Sequence, residues 1–200
     1  MGKLIKMKVL IVGLRGMGVE TAKNLILAGP NSVTLYDPTI VQWGDLSSNF
    51  NLTEEHVGKV SRAAASFEKL QELNPYVKVS VVDTLPLDSL SKFNVVAYTE
   101  ILDNFESAVQ VNEFCRAKNI GFILAQSYGP SGFVFLDYGN EFMVTDADGE
   151  DTKSFIVVNI TQSNPATVTV HEDKRHKYQE GDWVYFREVE GMAQINGATP

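Results

Sequence analysis

KVLIVGLRGMGVETAKNL, residues 8–25, decides the fold. A short apolar strand runs into a glycine-rich turn, and the turn opens a helix. This is the layout in which unpaired backbone N–H groups and the helix dipole point at a phosphate. Glycines are required wherever a Cβ would hold that phosphate away. The familiar dinucleotide spacing is GxGxxG, with an acidic residue roughly 20 positions further on for the ribose. Here Gly13, Gly16 and Gly18 give GxxGxG, and Asp37 closes the second strand. Arg15 stands inside the turn, where a small residue is expected.

Outward from this turn, strand and helix alternate to about residue 126. KVLIVG is a compact apolar run of the kind buried on both faces of a parallel sheet. Helical pattern from Val19 to Ala28 stops at Gly29-Pro30, and SVTLYD is the next strand. KVSRAAASFEKLQELNP places Val60, Ala63, Phe67 and Leu70 on one helical stripe that ends at Pro75. VKVSVVD, FNVVAY and IGFILA follow as strands, and FESAVQVNEFCRAK is a helix carrying Phe105, Ala108, Val109 and Phe114. The succession predicts a doubly wound α/β sheet, mostly parallel, with right-handed crossovers.

From about residue 132 the texture changes. GFVFLDYG, EFMVTD, SFIVVNIT, ATVTVHE and DWVYFREVEG are separated by turn residues and lack a helical period, which predicts a small all-β unit. A boundary near residue 144 divides the chain into 1–144 and 145–200. The last stretch, GMAQINGATP, supplies no closing strand, which points to a fragment.

Composition narrows the function classes. The 200 residues carry a net charge of −8, against the positive footprint that nucleic acid or anionic lipid demands. One cysteine, Cys115, rules out a disulfide framework within the chain and suggests a reducing compartment. The N-terminus runs directly into the first strand without a signal-peptide or membrane-anchor pattern, so cytoplasm and nucleus are the expected locations.

Several stretches together resemble one family. GLRGMGVETAKNLILAG, YDPTIVQWGDLSSNF, VGKVSRAAASFEKLQELNPYV and EFCRAKNIGFI are similar to the N-terminal, inactive adenylation half of ubiquitin-activating enzymes. HEDKRHKYQEGDWVYFREVEGMAQINGATP resembles the β-rich first catalytic-cysteine half-domain inserted there. The resemblance implies a Rossmann-like sheet of ThiF type and a parent enzyme that uses ATP and Mg²⁺. In such an enzyme the C-terminal carboxylate of ubiquitin attacks the α-phosphate, giving an acyl-adenylate and pyrophosphate, and ubiquitin then passes to a cysteine thioester. It also implies three partners: the active adenylation half of the same protein, ubiquitin, and ubiquitin-conjugating enzymes.

Active members read GxGGxG, then DxDxxxxSNLNRQ, then a KxK-type lysine pair. Set against that pattern, Asp37 keeps the ribose carboxylate, Thr39 stands for a second acid, and Asp45 for an asparagine. Ser48 takes the place of the phosphate-binding arginine. Lys59 matches the first lysine, Ser61 replaces the second, and Arg15 replaces the middle glycine. Adenylyl transfer rests on positioning and charge neutralisation, and each lost charged contact costs about 2–4 kcal/mol of transition-state stabilisation. The expectation is a degenerate turn at Gly13, Gly16, Gly18 and Asp37 that holds no nucleotide, with no catalytic residue and no cofactor in this fragment. Asp103 is the one metal-ligand candidate, because Asp103-Asn104 resembles the LDN of active members, although an Asp-Asn pair also caps helices.

Other residues carry less. Cys115 reads as core filler and not as the thioester nucleophile. His171 and His176, five apart, read as parts of a charged turn. Trp43 either covers the carboxyl end of the sheet or makes a subunit contact. Three other functions compete, one of them an active bacterial-type adenylating enzyme, which Ser48 and Ser61 argue against. The small regulatory subunit of an activating enzyme for another ubiquitin-like protein would lack the β segment. A nicotinamide-dependent oxidoreductase would use the turn and Asp37 but leaves DPTIVQWGDLSSNF unexplained.

Overall fold

The computed structural model describes residues 2–144, 149, 153–171, 176 and 178–197, in two compact units, Met1–Met143 and Val144–Pro200. In the first unit, β1 (Lys8–Val12), β2 (Ser32–Tyr36), β3 (Lys78–Val81), β4 (Val95–Tyr98), β5 (Gly121–Tyr128) and β6 (Ser131–Asp137) form one sheet in the order β3-β2-β1-β4-β5-β6. The first five strands are parallel and β6 returns antiparallel on β5, from Phe122 opposite Asp137 to Tyr128 opposite Ser131. The helices are α1 (Gly16–Ala28), α2 (Arg62–Glu72) and α3 (Phe105–Ala117).

Strand alternation sends side chains to two cores. Val9, Ile11, Val33, Leu35 and Val79 pack with Val19, Ala22 and Ile26 of α1 and with Ala63 and Leu70 of α2. Leu10, Val12, Val96, Tyr98 and Phe122 pack on the opposite face with Ala108, Val111 and Cys115 of α3. Because β1 lies between β2 and β4, the strand order reverses at its carboxyl end, the crevice where doubly wound sheets place their ligands.

The helices differ from the expected pattern at their edges. Helix α1 begins at Gly16, three residues before the apolar period starts, because the glycines of its first turn serve close contacts and not propensity. Gly29, at φ +85°, ends it in the left-handed conformation that glycine adopts without strain. On α3 the buried stripe is Ala108, Val111 and Cys115, at helical spacing, while Phe105 is the first helical residue and stays 61% exposed.

The β-rich expectation is corrected in three places. GFVFLDYG lies in the main sheet as β6, since the Gly129-Pro130 turn folds it straight back along β5. Arg116 of α3 anchors it, donating from Nη1 to both carboxylate oxygens of Asp137 at 2.9 Å. In the second unit, SFIVVNIT and ATVTVHE supply β7 (Val157–Ile160) and β8 (Val168–Val170), an antiparallel pair with a bulge between Val157 and Asn159. DWVYFREVEG forms no strand, only an isolated bridge between Phe186 and Asn196, because alternation makes a strand only where a neighbouring ladder exists. Asn196 instead closes a loop, donating to the Val189 carbonyl and accepting from its N–H. EFMVTD is not a strand over 141–144, and its last two residues, with most of the DADGED and HEDKRH turns, lie outside the described residues. Among the described residues no helix is long and apolar enough to cross a membrane.

Phe122, buried on β5 with its ring 5.6 Å from that of Tyr98, joins sheet and α3. Phe122→Ala is expected to destabilise the first unit by about 3–5 kcal/mol, read as a lowered urea midpoint at constant slope.

Candidate functional site

The carboxyl ends of β1, β2 and β4 meet at the glycine turn. Gly13 and Gly18 are required by the protein's own packing, and Gly16 is in tight contact. Gly13 has φ +90°, and a Cβ there would lie 2.5 Å from the Cβ of Glu100, just past β4. A Cβ on Gly18 would run into the Gly13 carbonyl and stand 2.6 Å from Thr99 Oγ1. The Thr99 hydroxyl donates to the Gly13 carbonyl at 2.8 Å, with the Val12 carbonyl a second acceptor at 3.0 Å. Gly16 is pressed by Ser48, whose carbonyl oxygen would be 3.2 Å from its Cβ.

Asp37, fully buried, faces this turn from the end of β2. Its Oδ2 accepts the Leu14 N–H at 2.8 Å and its Oδ1 the Thr39 N–H at 3.0 Å. The Leu14 carbonyl is bound from the other side by Asn49 Nδ2 at 2.7 Å, and Asn49 also donates to Ser66 Oγ at 3.0 Å. Both polar backbone atoms of Leu14 are therefore held by side chains of the 37–49 segment.

Arg62 joins these parts. It is the first residue of α2, 1% exposed, and the largest fully buried side chain among the described residues. Nε donates to Asp45 Oδ2 at 2.9 Å, and Nη1 lies 3.1 Å from Glu100 Oε2 and 3.3 Å from Asp37 Oδ2. Arg15 adds a second guanidinium, with Nε 3.3 Å from Glu100 Oε1 and 3.5 Å from Asp45 Oδ1, but its side chain is 57% exposed. Three carboxylates thus surround two guanidinium groups, a formal sum of −1.

Burial and pairing pull these groups in different directions. For Asp45, burial pushes the carboxyl up, but the Arg62 hydrogen bond, the Gln42 N–H and the charges of Arg62 and Arg15 outweigh it and hold it below the usual carboxylate range. For Arg62, burial opposes the charge, yet the Asp45 hydrogen bond and the Asp37 and Glu100 charges keep the guanidinium above its ordinary value. Burial dominates at Glu100 and raises its carboxyl despite both arginines.

The other candidates fall outside this cluster. Asn104 caps α3, its Oδ1 accepting the Ser107 N–H at 2.9 Å, and Asp103 is exposed beside it. Ser61 caps α2 by accepting the Ala64 N–H at 3.2 Å, and Lys59 is exposed. Cys115 is buried, with its thiol pushed up to about 11, chiefly by burial. Trp43 is 66% exposed on the short 3-10 helix Trp43–Ser47. His176 stacks on Tyr178. Sequence reasoning missed Arg62, Glu100 and Asn49. The available signal was Arg62 itself, a cation in the first turn of a helix, where the dipole disfavours it unless tertiary anions compensate.

Sheet order, glycine turn and strand-end carboxylate define a ThiF-type Rossmann unit. The sequence model of the ThiF family matches residues 1–170, and that of the ubiquitin-activating enzyme E1 FCCH domain matches residues 163–200. The chain belongs to the ThiF family. It is 45% identical over 203 residues to ubiquitin-activating enzyme E1 2 of Arabidopsis thaliana, covering 100% of this chain and 19% of that protein. It is 46% identical over 194 residues to ubiquitin-like modifier-activating enzyme 1 of Mus musculus, covering 96% of this chain and 18% of the relative. The human protein of the same name is 45% identical over 202 residues, with 100% and 19% covered. The chain thus spans about a fifth of the length of the relatives it matches.

Two outcomes follow from the cluster. Arg62→Ala leaves three carboxylates without their buried cation and is expected to cost about 3–5 kcal/mol. Arg15→Ala, at an exposed pair, is expected to cost under about 1 kcal/mol, so equal losses in urea denaturation would contradict this ranking. Asp45 is depressed in the folded state, so its contribution is present above its unfolded value of 3.8 and is lost as pH falls through the lower folded value. The penalty of Asp45→Asn should therefore be larger at about pH 7 than at about pH 3, measured by urea midpoints of both proteins.

Proposed function

We propose that this chain is part of a ubiquitin-activating enzyme: the adenylation half that has lost its own nucleotide site, 1–144, with part of the first catalytic-cysteine half-domain, 145–200. The observation that carries the reading is the buried Arg62 cluster seated on the glycine turn. Asp37, the ribose-type carboxylate, has its oxygens engaged by Leu14, Thr39 and Arg62. Glu100 and Ser48 lie against Gly13 and Gly16, on the surface a phosphate would need. The cations that remain are matched by carboxylates, and the cluster's formal −1 repels a triphosphate. The residues present do not fit ATP and Mg²⁺, so those cofactors belong to a second, active half of the same protein.

In this reading the unit buttresses that active half and carries the inserted β domain, while ubiquitin and the conjugating enzymes are the partners of the whole enzyme, in cytoplasm and nucleus. Ile40, Trp43 and Phe50, exposed on the segment after β2, supply apolar surface for a protein neighbour. The FCCH match over residues 163–200 favours this reading over a small regulatory subunit. The engagement of Asp37 disfavours a nicotinamide-dependent oxidoreductase.

Calorimetric titration of the full chain with ATP-Mg tests the proposal. The expected result is no saturable heat, meaning a Kd weaker than about 1 mM. Stoichiometric micromolar binding that Gly16→Val abolishes would overturn it.

A further inference from the structure

The opposite end of the sheet carries a different chemistry. Lys8, Ser32 and Lys78 are in register at the starts of β1, β2 and β3, and Leu10, Thr34 and Ser80 are in register two residues on. Leu10 belongs to the core on the α3 side, so all six residues project from that face. Parallel strands buried on both sides are ordinarily apolar throughout. Strands β2 and β3 are not: Val33, Leu35, Val79 and Val81 pack toward α1 and α2, and the other face is lysine and hydroxyl.

A cavity of about 290 Å³ opens there, lined by Lys8, Lys78 and Lys92 together with Ser32, Thr34 and Ser80. No carboxylate lines it, and among the described residues none of the three lysines pairs with one, in a chain of net charge −8. Lys92 Nζ instead sits 5.1 Å from the centre of the Phe93 ring. Thr34, only 6% exposed, has Oγ1 3.0 Å from Ser80 Oγ. That bond uses one of the two hydroxyl protons and leaves the other to donate into the cavity.

Three lysines without a carboxylate partner among the described residues, lining one cavity with hydroxyl side chains, match a multiply charged oxyanion, which takes both charge-assisted and neutral hydrogen bonds. The volume is at the lower limit of small-molecule pockets, too small for a nucleotide-sized ligand with its base buried. We infer that this cavity binds a phosphate-type oxyanion, either free phosphate or diphosphate or the phosphoryl group of a small phosphomonoester. It lies at the amino ends of the strands, away from the glycine turn, and stands independently of the function proposed above.

The test is an amide-resolved NMR titration of the full chain with inorganic phosphate, pyrophosphate and glycerol phosphate, each against sodium chloride of matched ionic strength. Saturable shifts at Ser32, Thr34, Lys78 and Ser80 are expected, weakened about tenfold or more in the Lys8→Gln/Lys78→Gln double variant. Both lysines are exposed, so spectral dispersion should be unchanged, and a Thr34→Val/Ser80→Ala variant, which removes both hydroxyl donors without a change of charge, is expected to weaken the shifts at Ser32 and Lys78 as well. A response to the inorganic anions alone identifies free phosphate as the source, and a stronger response to glycerol phosphate identifies an esterified one. Shifts that follow ionic strength only, or that saturate identically in the double variant, overturn the inference.

Discussion

A guanidinium taken wholly out of water is tolerated only when its charge is met, and Arg62 meets it through Nε and Nη1 with carboxylates from three separate segments. Asp37 closes β2, Asp45 sits in the 3-10 turn that follows, and Glu100 follows β4. Arg62 itself opens α2, so one side chain fixes where four parts of the fold converge. The same Asp37 oxygen that meets Arg62 also receives the Leu14 N–H, which extends the lock to the glycine turn. Buried ion pairs of this kind add little net stability over apolar packing, but removal of one member is costly because it leaves an uncompensated buried charge.

This lock accounts for the three glycines through contacts within the protein itself. Gly13 and Gly18 admit the β4 end, through Thr99 and Glu100, and Gly16 admits Ser48. A Cβ at the first two positions would meet backbone or a side chain rooted in the sheet, with no flexible tip to swing aside. The turn is therefore a joint between β1, α1 and β4. Charges follow the same division: arginines at the carboxyl ends of the strands are neutralised by acids, whereas lysines at the amino ends are left facing a cavity.

The order of strands and helices in the first unit was legible because each element announces itself locally. Apolar runs of strand length, helical stripes such as Ala63, Phe67 and Leu70, and stops such as Gly29 and Pro75 depend on neighbours within a few residues. DWVYFREVEG shows where that legibility ends. Its alternation is that of a strand, but a strand also needs a partner ladder, and among the described residues of the second unit only β7 and β8 supply one. GFVFLDYG has the right period and sits in the other unit, because a two-residue turn couples it to β5 more directly than to anything downstream.

At the candidate site, local pattern alone placed the glycine turn and put Asp37 at the end of the second strand. The replacement of two expected cations by Ser48 and Ser61 was implied by the family resemblance and not by the local pattern. Tertiary structure alone decided what fills the turn. The contacts of Arg62 with Asp45, Asp37 and Glu100 span 17, 25 and 38 residues, and that of Asn49 with Leu14 spans 35. Such pairs leave no periodic trace, because Coulomb attraction and hydrogen bonding act through space once the sheet has brought strand ends together, whatever the distance along the chain.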